Sequence, residues 1–120
     1  MEKLAKREEQ IMRVLWQLEK AFVKEIIAEL PDPKPHYNTV STIIRILEEK
    51  GYVGHKSFGT THQYFPILQK KNEYQKTEVN NVLKTYFDNS PSQMMLHFAK
   101  ENKLNEAELQ EILEMIKKKE

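Results

Sequence analysis

Apolar residues recur at helical spacing through the first third of the chain. Ile11, Val14, Leu15 and Leu18 fall at i, i+3, i+4 and i+7, one face of a helix, and Met12 and Trp16 widen it. Val23, Ile26, Ile27 and Leu30 repeat the pattern. Pro31, Pro33 and Pro35 then end this second helix, because proline lacks a backbone donor and biases its predecessor away from helix. A third helix opens around His36 to Asn38, with Val40, Ile43, Ile44 and Leu47 on its apolar side. Lys50-Gly51 closes it: a cation in the last turn, then a residue that accepts the left-handed cap.

The pattern then changes. Tyr52, Val53, Phe58, Tyr64 and Phe65 are aromatic or β-branched, and Gly54, Gly59 and Pro66 punctuate them. Two short strands, near Val53–Ser57 and His62–Pro66, with a turn around Phe58–Thr61, predict a hairpin. The turn has no Asn-Gly signal, which leaves its type open. From Gln69 onward helical periodicity returns, with Val79, Val82, Leu83, Tyr86 and Phe87 as one stripe. Ser90-Pro91-Ser92-Gln93 reads as a cap, a proline at the first helical position and a capping-box glutamine. Met94, Met95, Leu96, Phe98 and Ala99 follow. Asn105 and Glu108 form a second capping box, ahead of Leu109, Ile112, Leu113 and Ile116.

The predicted fold class is therefore mainly α with a small β-hairpin wing. A winged helix-turn-helix over residues 1–68 is followed by three helices over 69–120. In such a motif the second helix of the pair enters the major groove and the hairpin lies against the backbone. The free face of the third helix carries Asn38, Thr39, Ser41, Thr42 and Arg45. These are short hydrogen-bonding groups and one long cation, which suit base edges and phosphates. A merely solvated helix more often carries Glu, Lys and Gln there. Lys56, Thr60, Thr61 and His62 are the wing residues expected to meet the DNA backbone.

Composition sharpens this picture in a few places. The 120 residues include 19 Lys plus Arg against 18 Asp plus Glu, so the total charge announces no nucleic-acid binder. The distribution is more telling: no acid occurs from Lys50 to Asn72, across the expected wing, where Lys50, Lys56, Lys70 and Lys71 stand. The absence of cysteine removes thiolate chemistry, and three glycines are too few for a phosphate-cradling loop. His36, His55, His62 and His97 have no short metal spacing, though His55 and His62 could face each other across the wing. No nucleophile–base order or buried carboxylate pair suggests an enzyme. No cofactor, metal or direct membrane binding is expected, and the chain reads as cytoplasmic.

The run from Asn38 through Val53 resembles the recognition helix and first wing strand of the penicillinase repressors, the BlaI/MecI group. Glu8 through Ile11 to Leu15-Trp16 resembles that family's first helix, and Gln63-Tyr64-Phe65-Pro66 its second wing strand. The likeness implies a homodimeric transcriptional repressor that binds palindromic operators and is linked to antibiotic resistance. It implies dimerisation through the tail, and there Val82, Leu83, Tyr86, Phe87, Met95, Phe98, Leu109, Ile112, Leu113 and Ile116 are the expected interface, because they are too apolar to leave in water. It also implies derepression by proteolysis: a membrane sensor metalloprotease cuts such repressors before a phenylalanine, here between His97 and Phe98. The chain departs from the better-known members at His97, where they carry Asn, and at Ala5, where they carry a Ser or Thr cap. Having no cysteine, it cannot be a copper sensor of the family's cysteine-tailed branch.

The residues alone leave other readings open. The tail could fold back on the winged helix as one monomeric core. An effector pocket at the tail could replace cleavage, or the winged helix could dock protein partners and bind no DNA.

Overall fold

Three helices lead into the sheet in the computed structural model, which describes residues 3–119; Met1, Glu2 and Glu120, the outermost residues of the two expected segments, lie outside the described residues. They are α1 (Lys6–Leu18), α2 (Val23–Glu29) and α3 (Tyr37–Glu49). The hairpin is β2 (Val53–Phe58) and β3 (Thr61–Pro66). A two-residue strand β1 (Ala21–Phe22), which periodicity cannot reveal at that length, joins its edge. All pairings are antiparallel, in the order β1-β3-β2, with Ala21 opposite Tyr64 and His55 opposite Tyr64 on the other side. The tail holds α4 (Leu68–Tyr86), α5 (Pro91–Lys100) and α6 (Glu106–Lys119). The chain divides into two compact units inside α4, one reaching Lys76 and the other starting at Thr77.

The core of the first unit is built from the faces the periodicity marks. Ile11, Met12 and Leu15 of α1, Ile26 of α2, and Val40, Ile44 and Leu47 of α3 are fully buried. Tyr52, Val53 and Tyr64 close the core from the sheet side, and Tyr74 of α4 joins it. Tyr74 stacks at a tilt on Trp16, its hydroxyl donates to Glu9 Oε2 at 2.7 Å, and its ring meets Tyr52 edge-on. Thus the opening turns of α4 are part of the head. Four expected apolar-face positions differ. Trp16, Ile27 and Ile43 are half-buried, packed against the core rather than within it, and Leu18, in the last turn of α1, is exposed. All four stand at the margin of their stripe.

The connections follow the cap chemistry. Gly51 takes φ +85, its N–H bonds Glu48 O, and the Tyr52 N–H reaches back to Leu47 O. This Schellman arrangement turns the chain from α3 straight into β2. The wing turn is Gly59-Thr60, with Gly59 at φ +62 and Thr60 outside the left-handed region, as in a type II′ turn. Opposite Gly54 lies the Phe65 ring, so close that a Cβ at 54 would sit 2.8 Å from it.

Ala5 cannot cap α1 through its side chain, yet the start of this helix is not left unsupported. Glu8 Oε1 accepts the Ala5 N–H at 2.9 Å, and its Oε2 pairs with Lys50 Nζ at 2.9 Å. One carboxylate thereby ties the first turn of α1 to the end of α3. Burial opposes ionisation of Glu8, but the hydrogen bonds from Lys50 and Ala5 and the Lys50 charge outweigh it, and its pKa is lowered from 4.5. A depressed carboxylate contributes stability that is present above its unfolded pKa and lost as the pH falls through the folded one. Glu8→Gln is therefore expected to lower the urea midpoint at pH 7 by the equivalent of roughly 0.2–1 kcal/mol. As the pH is lowered the difference between variant and parent should shrink; a difference that stays constant down to the acid-unfolding range would refute the ionic origin.

Candidate nucleic-acid interface

Burying Val40, Ile44 and Leu47 against α1 and α2 fixes which side of α3 faces outward. Asn38, Thr39, Thr42 and Arg45 are exposed there and Ser41 is half-buried. Asn38, Thr42 and Arg45 follow one another at i, i+4 and i+7 and so form a continuous strip, with Thr39 and Ser41 on its flanks. Tyr37, at the first position of α3, is exposed, and Ile46 is 40% exposed beside the strip. An apolar side chain there is not foreseen by the buried-face pattern.

The wing stands beside this helix. Strand alternation separates its residues into two sets. His55 and Tyr64 pair directly, and Ser57 pairs with His62, on one face; Lys56 pairs with Gln63 on the other. Lys56, Thr60, Thr61 and His62 are all exposed, so the four expected wing contacts share the hairpin end but not one face. Lys56 Nζ lies 5.5 Å from the centre of the Phe58 ring, which meets Phe22 of β1 edge-on at 5.6 Å. Thr61 Oγ1 donates to Phe58 O and ties the turn down. The cation thus stands on an aromatic pedestal at the hairpin tip.

Helix and wing are joined by contacts that the sequence pattern does not disclose. Glu48, in the last turn of α3, pairs with His55 Nδ1 at 2.5 Å. The His55 and His62 rings are 4.3 Å apart and nearly perpendicular, and His62 Nδ1 is 3.2 Å from Ser57 Oγ. Tyr64 lies beneath, its hydroxyl pKa raised by burial and then by the Glu48 charge, with Arg45 partly opposing the shift. The cross-strand register brings the two histidines face to face, as their places on the two expected strands allow, whereas the contact with Glu48 depends on tertiary packing that residue types do not reveal. A recess of about 370 Å³ opens between the starts of α2 and α3 and the wing, lined by Phe22, Lys24, Glu25, Tyr37, Thr61 and His62 among others. The first residue of α3, the wing end and the start of α2 therefore surround one concave surface.

The tail residues are placed differently. Leu83, Phe87, Met95, Phe98, Leu109 and Ile112 are half-buried, whereas Val82, Tyr86, Leu113 and Ile116 are exposed. Neither α5 nor α6 buries a single residue. The capping reading of this region is realised in hydrogen bonds. Ser90 Oγ accepts the Gln93 N–H, and Asn105 and Glu108 exchange side-chain-to-backbone bonds in both directions. His97 is exposed and Phe98 half-buried, both inside α5, and the His97 ring lies 5.6 Å from that of Phe87. Among the described residues, no group of three His, Asp or Glu side chains is arranged to hold a metal ion. No helix of the described residues is long and apolar enough to cross a membrane.

Comparison with known proteins bears on both units. The family model for penicillinase repressors matches residues 4–118. The methicillin resistance regulatory protein MecI of Staphylococcus aureus (strain N315) is 26% identical over 117 residues, spanning 97% of this chain and 94% of the relative. MecI of Mammaliicoccus sciuri is 26% identical over 119 residues, with the same coverage of 97% and 94%. Among solved structures, RosR of H. salinarum superimposes with a TM-score of 0.61 at 15% identity, covering 81% of this chain and 89% of that one. A possible transcriptional regulator for arsenical resistance gives 0.53 at 17% identity, covering 64% and 77%. At such identities the structural likeness speaks to the fold alone.

Proposed function

The chain belongs to the penicillinase repressor family, and from that premise we propose that it is a dimeric winged-helix repressor. It reads palindromic operators and is switched off by a cut in its tail. The observation that carries the DNA-reading part is the outward strip of α3: Asn38, Thr42 and Arg45 in line, Thr39 and Ser41 beside them. Asn offers a bidentate pair to adenine, Arg to guanine or phosphate, and the hydroxyls reach either bases or backbone. Lys56, Thr60, Thr61 and His62 supply the backbone contacts of the wing. Arg45 is exposed on a helix whose core lies on the other side, so Arg45→Ala should leave the fold intact. With a duplex selected from a random-sequence pool by the parent protein, it should weaken binding by roughly 5- to 150-fold, the equivalent of about 1–3 kcal/mol. Unchanged affinity would remove α3 from the interface.

Dimerisation through the tail is supported by what the tail fails to bury. Tyr86 is 75% exposed, Leu96 55% and Ile116 50%, although amphipathic helices need an apolar partner surface. A second copy of the same helices supplies one symmetrically. Two linked reading heads would then match two half-sites about one helical turn of DNA apart. Sedimentation of the parent protein is expected to give a dimer at micromolar concentration, and Leu113→Glu with Ile116→Glu a monomer whose head still melts cooperatively. A monomeric parent would overturn this part of the reading.

The His97–Phe98 bond is the position at which a sensor metalloprotease would act. It lies in the second half of α5, a helix begun by the Ser90 cap and closed by Asn102 at φ +58. A protease that takes its substrate extended must first open this helix. Incubation with the protease domain of a sensor receptor should release a fragment beginning at Phe98. Replacing Asn102 by Ala, which resists the left-handed cap, should accelerate the cut. No cleavage under those conditions would favour release by a small-molecule effector.

A further inference from the structure

Resting on the DNA-binding reading, we propose that the Glu48–His55 contact is a clasp that positions the wing on the recognition helix, and that the paired histidines His55 and His62 make DNA binding take up a proton. The clasp joins the last turn of α3 to β2 at 2.5 Å, and the two imidazoles, one from each wing strand, are 4.3 Å apart. Imidazole is the side chain whose charge changes near neutral pH.

Every charged or titratable neighbour enters the balance. On α3, Glu48 faces His55 directly, while Arg45 and Tyr37 lie within electrostatic range of Tyr64. On β3, Tyr64 is near both imidazoles, at 5.7 Å from His55 and 6.2 Å from His62. On β2, Lys56 points to the opposite face and Ser57 holds His62 Nδ1. From α2, Lys24 and Glu25 share the recess with His62 and Tyr37. In the free protein a single carboxylate, Glu48, faces the pair, 2.5 Å from His55 Nδ1. Positive charge on both rings at once would stand 4.3 Å apart beside that one carboxylate.

Duplex DNA alters this balance. Phosphates brought to the wing favour positive charge on both rings. They also make an unneutralised Glu48 carboxylate at the groove edge unfavourable, so that the imidazolium of His55 is retained. Binding therefore draws in a proton, and by linkage the affinity rises as the pH falls. The clasp adds a geometric effect: with His55 neutral, the contact loses its charge assistance and the wing its fixed angle to α3.

The test uses the full chain and the duplex selected from a random-sequence pool. Calorimetric titration at pH 7 in two buffers of different ionisation enthalpy counts the protons taken up. We expect an uptake of up to about one proton and an affinity falling roughly five- to twentyfold from pH 6 to pH 8. His62→Gln and His55→Gln should each flatten that profile, and Glu48→Gln should weaken binding most at low pH, where the clasp is charged. A parent protein that binds the duplex with no proton uptake and a flat profile overturns the proposal. A parent that binds no duplex at any pH overturns instead the DNA-binding reading beneath it. A sloping profile that survives both histidine substitutions assigns the proton elsewhere and also overturns the proposal.

Discussion

Everything in the head of this protein depends on how α3 divides its circumference. Val40, Ile44 and Leu47 occupy one side so completely that none retains any exposure, and the helix cannot rotate without bringing them into water. Each fully buried side chain of this kind is stabilised by about 1.5–3 kcal/mol relative to exposure. The burial that stabilises the fold therefore also aims Asn38, Thr42 and Arg45 outward. No separate device is needed to orient the strip. The Schellman turn at Gly51 extends the same constraint to the wing, since it leaves α3 no slack before β2 begins.

The two units rest on different physics. The head has a closed apolar core with aromatic residues from three directions, and Tyr74 adds the first turns of α4 to it. Beyond Thr77 the chain has well-formed caps at α5 and α6 but no buried residue in either helix. Caps specify where a helix starts; they do not supply the burial that keeps it folded in a small domain. That contrast supports the proposed pairing of the tail with a second copy, whereas the head has a closed core of its own.

What could be read from residue types follows the same line. Strong periodicity marked the three head helices and the apolar face of α3, and glycine and aromatic punctuation marked the hairpin. The caps at Ser90 and Asn105 were legible because a cap is a local device. Three features were not. β1 has two residues, too few to show a period. The Glu8 bridge and the Glu48–His55 contact join residues whose meeting depends on tertiary packing and strand register, which leave no mark in composition. Ile46 looks like a core residue by type, but its angular position on α3 puts it on the outer side.

The pairing of Gly54 with Phe65 has a consequence for how the wing can change over generations. The ring occupies the space that any side chain at 54 would need. A substitution at 54 meets the ring before it meets solvent, and a loss of the ring exposes a bare stretch of backbone. A side chain at 54 requires the exposed ring of Phe65 to move aside, whereas a joint exchange of small for large across the pair requires no such movement. The two sites, eleven residues apart in the chain, are therefore coupled through the space they share.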